Sequence, residues 1–485
     1  MGGTTALGGG SQTVNLTPKA GGGVTATLTA GTAGATSVPL EISVSSGTLI
    51  DWDLDKSEDG GATWSTVESG ITATTKTASG LTPATSVKFR GTARVNVEAV
   101  GTVTVTTEEA LYGYEVITMD GYTDDVYTNS AEQSYALAIE NTGTGPIYGI
   151  RVHGRNTTTS HAQIKGVVLG SGNADAGAMS ADEFVQAPFG GANSFTPPDG
   201  NGINSPYWLT DDVDFPAAIQ PGESGIARLA VSAGNVAYPA MGITASRANS
   251  GDLVTGWASS PGDYGSTPAN AANSMSWSGG VAVLPFGIVV KRDASAVGPQ
   301  HAAFGDSIPN GVGNGNVRDR WVWRANSLLT GRRKIVSVAR AGYTVQQYCE
   351  LFRYWLENCP LAELFASCSV SGWSWNNLGD QTAEIIAAVD AAVAAGVAAG
   401  KRMSVWFPTP AGLQMSGYGN IPSRAATLAH CLAQGYNVVD TSADVTDADG
   451  TSIKPAYTPD GVHLNEAGQD IMGAGIAANQ SVIFG

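Results

Sequence analysis

Apolar and polar positions follow two different periods along this chain, and the change falls near residue 296. Ahead of it, Thr13-Val-Asn-Leu-Thr, Val24-Thr-Ala-Thr-Leu-Thr, Leu40-Glu-Ile-Ser-Val and Thr102-Val-Thr-Val-Thr alternate at period two, with turns rich in Gly, Ser and Pro between them. Successive side chains of a strand point to opposite faces, so this alternation predicts half-buried strands. Their spacing predicts a small β-sandwich over 11–108, behind a Gly/Thr-rich flexible tail at 1–10. Over 111–295 the strand-like runs are longer, among them 135–140, 147–152, 164–169, 225–231 and 281–290, and Gly/Asn/Ser/Pro/Asp-rich loops separate them. A two-sheet, jelly-roll-like β domain is the expectation there.

From 296 the pattern alternates between short continuous apolar runs and helix-period runs. The strands are predicted at 301–305, 334–339, 364–370, 403–407 and 436–440, and the helices at about 317–330, 344–358, 377–399, 422–434 and 464–478. Apolar strands without alternation are covered on both faces, and helical crossovers make them parallel. The expected fold class is therefore multidomain: two N-terminal β-sandwich domains followed by an α/β/α domain with a five-stranded parallel sheet over 296–485.

Charge changes this picture in one respect. The formal net charge is −17; residues 1–299 carry 13 basic and 27 acidic groups, residues 300–485 carry 12 and 15, so −14 lies in the β-rich part. Such a surface argues against nucleic acid or an anionic membrane as partner. Cys349, Cys359, Cys368 and Cys431 all fall in apolar or helical surroundings without C-x-x-C spacing, which favours buried free thiols over a metal site. The first residues lack the basic region and apolar core of a signal peptide. The alanine-rich run 383–400 is interrupted by Glu384 and Asp390, so no membrane insertion is expected.

The candidate chemistry begins at His301-Ala-Ala-Phe-Gly-Asp-Ser307, where an apolar strand ends abruptly and glycines and asparagines follow. Such a turn delivers one hydroxyl to the rim of a sheet, where ligands of open α/β sheets bind. A serine needs a base, and of five histidines only His463 sits in a turn with a carboxylate nearby, in Thr458-Pro-Asp-Gly-Val-His463. His153 and His161 lie in the β region, His301 opens the strand at the end opposite Ser307, and His430 sits in a helix where packing is the simpler role. Asp460, three residues before His463, can reach its ring and hold the tautomer. Two loops at strand ends can supply donors to an oxyanion: one at Gly342, the other at Ser374-Trp-Asn-Asn377, where Asn376 or Asn377 offers a side-chain amide.

Together these stretches resemble the SGNH (GDSL-type) hydrolase family: Gly305-Asp-Ser307 its first block, Gly342 the second, Asn376 the third, and Asp460-x-x-His463 the fifth, over about 190 residues, roughly 296–485. The resemblance implies a flavodoxin-like fold with strand order 2-1-3-4-5 and metal- and cofactor-free ester hydrolysis. It implies Ser307 as nucleophile, His463 as base and then acid, and Asp460 as its orienting carboxylate. The N–H groups of Ser307 and Gly342 and the Asn376 amide would form the oxyanion hole. The third block departs from the pattern: Ser374 stands where glycine is usual, and Asn377 stands where an aspartate often follows. Tyr343, Trp373, Trp375 and Tyr418 are expected on loops around the serine as candidate substrate contacts. Farther upstream, Leu81-Thr-Pro-Ala-Thr-Ser-Val-Lys-Phe-Arg-Gly91 resembles the turn and strand of fibronectin type III domains, so 11–108 is expected to be immunoglobulin/fibronectin-III-like.

β modules ahead of an esterase resemble carbohydrate esterases and virion-borne appendages of bacteriophages. That implies O-acetyl removal from cell-surface polysaccharide and other virion proteins as partners of the N-terminal domains; a homo-oligomer is left open. The competing readings are a receptor-binding or structural virion protein with a vestigial hydrolase domain, a lipid or thioester hydrolase, and a secreted enzyme.

Overall fold

The computed structural model describes residues 11–14, 26–30, 37–44, 48–57, 63–79, 88–95, 100–106, 112–117, 126–129, 132–155 except 142 and 144, 163–171, 181–198, 202–232, 234–237, 241–244, 254–261, 267–271, 281–284, 287–311, 321–410 except 378, and 421–485 except 449. The tail expected at 1–10 lies outside them, as does 81–87 of the fibronectin-like stretch. The chain forms two compact units, Met1–Gly113 with Asp293–Ser295, and Tyr114–Arg292 with Ala296–Gly485.

The first unit holds two four-stranded antiparallel sheets. One runs in the order Ser11–Val14, Ala26–Ala30, Ser37–Val44, Thr75–Ser79, and the other Ser65–Ile71, Leu49–Ser57, Lys88–Val95, Val100–Thr106. Leu28, Leu40, Ile42, Trp52, Leu54, Ile71 and Phe89 form their common core. Strand Leu49–Ser57 shows the reason: Trp52 and Leu54 are buried, while Asp51, Asp53 and Asp55, alternating with them, are half-buried on the other face.

The second unit joins a β-rich part to an α/β part. In the β-rich part, five antiparallel strands lie in the order Phe184–Gln186, Ile164–Ser171, Ser224–Val231, Gln133–Glu140, Val254–Pro261. A second sheet is built around Ile147–Arg155, which pairs with Tyr207–Leu209, Asp214–Ile219 and Gly287–Asp293. Leu137, Ile139, Ile150, Val152, Leu169, Leu229 and Ile288 fill the core they share.

The α/β part carries β1 (Gln300–Phe304), β2 (Lys334–Ser337), β3 (Phe365–Ser371), β4 (Arg402–Phe407) and β5 (Asn437–Asp440). All four pairings are parallel, and the order is β2-β1-β3-β4-β5. Every residue of β1 is buried, as a central parallel strand requires. Ala302 and Phe304 face one apolar layer with Val336, Cys368, Val370, Val405 and Phe407, while Ala303 faces the other with Ile335, Trp406 and Val439. Helices α1 (Ser307–Asn310), α2 (Trp321–Leu328), α3 (Val345–Asn358), α4 (Thr382–Ala398), α5 (Ile421–Ala433) and α6 (Glu466–Ala478) connect or follow these strands.

Helix α3 shows how sequence makes such a cover. Thr344 and Gln347 cap its start reciprocally, and Val345, Tyr348, Cys349, Phe352 and Trp355 form one buried stripe at helical spacing. All four cysteines are buried free thiols. Among the described residues, no helix is long and apolar enough to cross a membrane.

The β-rich and α/β parts share a core, since Tyr114, Val116 and Val289 pack in the same apolar layer as Phe304 and Trp355. A polar clamp accompanies it. The Gln300 side chain, at the start of β1, accepts from the Val116 N–H at 2.7 Å and donates to the Tyr114 carbonyl at 2.7 Å, so it serves strand Tyr112–Val116 as a backbone would. Beside it Glu115 pairs with Lys334 at 2.9 Å and Arg292 at 3.3 Å. Gln300→Ala leaves a buried N–H and a buried C=O without these partners and is expected to cost about 2–4 kcal/mol, read as a lower urea midpoint.

Candidate active site

Four connections meet at the carboxyl edge of the parallel sheet: those after β1, β2 and β3, and the long one between β5 and α6. The first is the tightest. Phe304 ends β1, Gly305 follows, and Asp306 caps α1 by accepting the Ile308 N–H at 2.9 Å. A Cβ on Gly305 would lie 2.5 Å from Pro309 Cγ, so the turn closes only with glycine there. Trp321 Nε1 and Ser337 Oγ both donate to the Pro309 carbonyl, at 2.8 and 3.0 Å, and pin α1 from outside. Ser307 is thereby held at the first position of α1, 7 % exposed.

His463 comes to it from 156 residues away, with Nε2 3.1 Å from Ser307 Oγ. On the other side of the ring, Nδ1 is 2.7 Å from Asp460 Oδ2. The Asp460 carboxylate is itself fixed, since Oδ1 accepts the N–H groups of Val462 and His463 at 2.9 and 2.8 Å. Gly461, at φ +83°, turns the backbone back so that one side chain can reach both the amides and the ring. Partial burial pushes the Asp460 carboxyl up, but the bonds from the His463 ring and the two amides outweigh it and hold it below its ordinary value. Asp306, by contrast, is fully buried: desolvation raises its pKa, against the Ser374 hydroxyl, the Ile308 N–H, His463 and the Trp375 N–H. It shapes the turn, and Asp460 is the carboxylate that meets the histidine.

The two donor loops are tied to each other. Gly342 is exposed at φ +82°, a conformation that favours glycine. The next residue, Tyr343, offers its carbonyl to Ser374 Oγ at 2.8 Å and to Asn376 Nδ2 at 2.9 Å. Asn376 is half-buried. Asn377 is 1 % exposed and wholly engaged: its Oδ1 accepts the Val345 N–H at 2.9 Å, and its Nδ2 donates to Gln346 and Gln381 at 2.8 and 2.9 Å. Asn376 Nδ2 also meets Ser374 Oγ at 3.2 Å, so its amide joins the Gly342 and Ser374 loops, whereas Asn377 holds the start of α3.

The aromatic expectation needs correcting. Tyr343, Trp373 and Trp375 are 8, 2 and 3 % exposed and pack in the two apolar layers, so they offer a ligand no ring face. Their large apolar area is better removed from water than shown to it. Tyr418 lies outside the described residues. Ser374 is the residue that sequence reasoning noted only as a departure from a pattern, and its threefold bonding was not foreseeable from one chain.

Two other described histidines, His301 and His430, are engaged elsewhere than at Ser307. His301 also contacts serines, Ser367 at 2.8 Å and Ser369 at 2.9 Å, but it is wholly buried against Trp406, and desolvation depresses its pKa to about 3. His430 pairs with Asp390 at 2.9 Å, and Tyr436 shares that carboxylate. Among the described residues no three His, Cys, Asp or Glu side chains gather to hold a metal ion. A cleft of about 240 Å³ lined by Glu115, Gln300, Trp323 and Arg332 opens at the amino end of β1, away from Ser307.

No protein-family model matches the sequence, and no curated protein does. Solved structures resemble part of it. A GDSL-like lipase from Bacteroides thetaiotaomicron is 18 % identical, with 38 % of this chain and 87 % of that one covered and a TM-score of 0.30. A member of the lipolytic protein G-D-S-L family from Veillonella parvula is 16 % identical (37 % and 96 % covered, TM-score 0.31). A lipase/acylhydrolase from Enterococcus faecalis is 15 % identical (37 % and 94 % covered, TM-score 0.31).

Asn377→Ala, which deprives the Val345 N–H of its acceptor, should cost about 1–3 kcal/mol of stability in thermal or urea unfolding. For His301 the folded pKa, about 3, lies below the ordinary 6.5, so between those values the unfolded chain takes up a proton that the buried ring refuses. Stability from this group is therefore intact above pH 6.5 and falls by about 1.4 kcal/mol per unit below it. Urea midpoints at pH 7 and pH 5 should show a steeper loss for the wild type than for His301→Asn.

Proposed function

We propose that the chain is a serine esterase with Ser307 as nucleophile. The observation that carries this reading is the unbroken contact from Asp460 through the His463 ring to Ser307 Oγ, at 2.7 and 3.1 Å. Ser307 Oγ attacks the acyl carbonyl and its proton passes to His463 Nε2. Asp460 stabilises the imidazolium. The tetrahedral oxygen takes hydrogen bonds from the N–H groups of Ser307 and Gly342 and from the Asn376 amide. Collapse expels the alcohol, which leaves with the proton from Nε2. A water then gives a proton to the same nitrogen as it attacks the acyl-serine, and the carboxylic acid departs as Ser307 recovers its hydrogen. The step needs no metal.

The finer reading is removal of O-acetyl groups from cell-surface polysaccharide by a protein carried on a phage particle, with the β regions serving attachment to other virion proteins. Its support is the placement of β-rich regions ahead of the α/β part, and the buried aromatics lend it none. Immunoglobulin-like and jelly-roll identities for those regions belong to the same proposal.

Hydrolysis of p-nitrophenyl acetate tests the first reading. Ser307→Ala should lower kcat by at least about 10³-fold and Asp460→Asn by roughly 10²- to 10⁴-fold, both with the unfolding midpoint nearly unchanged. A wild type without activity that still binds polysaccharide overturns the enzyme in favour of a binding protein. Rates that rise from acetate to octanoate overturn the acetyl preference, and release of acetate from acetylated glycans supports it.

A further inference from the structure

Ser374 stands in the third block where glycine is usual, yet its backbone does not demand glycine, since Arg332 is the sole non-glycine described residue with positive φ. The side chain is fully buried, and its hydroxyl is shared among Tyr343, Asn376 and the Asp306 carboxylate. Oγ donates to the Tyr343 carbonyl at 2.8 Å and accepts the Asn376 backbone N–H at 3.1 Å and Asn376 Nδ2 at 3.2 Å. A hydroxyl has one donor and two acceptor sites, so the lone pairs take the two Asn376 groups and the single hydrogen is divided between the Tyr343 carbonyl and Asp306. Asn376 Nδ2 also donates to the same Tyr343 carbonyl at 2.9 Å. Ser374, Asn376 and Tyr343 thus close a ring of hydrogen bonds, and Tyr343 directly follows Gly342.

We infer that Ser374 is a positioning residue that sets the Asn376 amide and locks its loop to the Gly342 loop, so that two oxyanion donors from different strands move as one body. The inference rests on the esterase reading above. Ser374 Oγ holds Asn376 by its backbone N–H at 3.1 Å as well as by Nδ2, so the residue stays seated when Nδ2 turns one hydrogen to the substrate oxygen. Ser374 touches no reacting atom; it reaches the site by Asn376 and by the turn-forming Asp306, and the inference assigns its effect to Asn376.

A double-mutant cycle separates this from simple packing. With p-nitrophenyl acetate, Asn376→Ala should lower kcat about 10²- to 10³-fold, as loss of one oxyanion donor does. Ser374→Ala should lower kcat about tenfold, the kinetic equivalent of one hydrogen bond, with KM within about twofold. In the Asn376→Ala background, Ser374→Ala should have no further effect on kcat. Ser374→Gly, which removes the hydroxyl without adding a methyl group, should behave as Ser374→Ala. Factors that multiply in the double variant, or an unchanged kcat in Ser374→Ala, overturn the inference while leaving the esterase intact. Loss of the folded state in both Ser374 variants assigns the residue to structure and overturns it too. An inactive wild type overturns the esterase reading itself.

Discussion

The direction of the sheet is the constraint on which everything else depends. Five strands run the same way, with β1 between β2 and β3, so the connections leaving those three strands emerge side by side on one edge. The register of three neighbouring strands brings the loops that carry Ser307, Gly342 and Asn376 to one edge, and the Ser374 and Asn376 side chains then tie two of them together. The sheet leaves one partner to be brought from afar. His463 arrives on the connection into α6, where buried Gln469 accepts the Trp321 N–H at 2.9 Å and ties α6 to α2.

Fine adjustment at that edge comes from short polar residues that bond their own backbone. Asp306 caps the turn that presents the serine, and Asp460 gathers two amides before it meets the ring. These two carboxylates illustrate how position alone divides roles: one sealed under the sheet's edge and pushed toward its neutral form, the other near solvent and held charged. The seal around them is apolar. Tyr343, Trp373 and Trp375 lie beneath the loops as their foundation.

The parts of this arrangement legible in the sequence were those encoded within a few residues. The strand-to-glycine break before Ser307, the Asp460–His463 spacing and the apolar runs of all five parallel strands reflect local periodicity and turn chemistry, and the strands lie within two residues of their expected ends. What depended on distant packing was not legible. Nothing local distinguishes a tryptophan that stacks on a ligand from one that fills the space under a loop. Asn376 and Asn377 differ by one position, yet one is consumed by the amino end of α3 and Gln381, and only the fold reveals which. Likewise Gln300 reads as an ordinary polar residue before an apolar run, although its amide replaces a missing strand contact for Tyr114 and Val116.

That last substitution of side chain for backbone bears on modularity. The strand that ends at the serine is fastened at its other end to residues nearly two hundred positions earlier, and apolar side chains from that earlier segment sit inside the layer beneath it. The α/β part is therefore not a cartridge that can be cut out at residue 296 and moved to another protein intact. Severed there, it would expose the apolar seat of Tyr114 and Val116 to water, and any recombination that exchanges this half of the chain must carry the earlier strand with it.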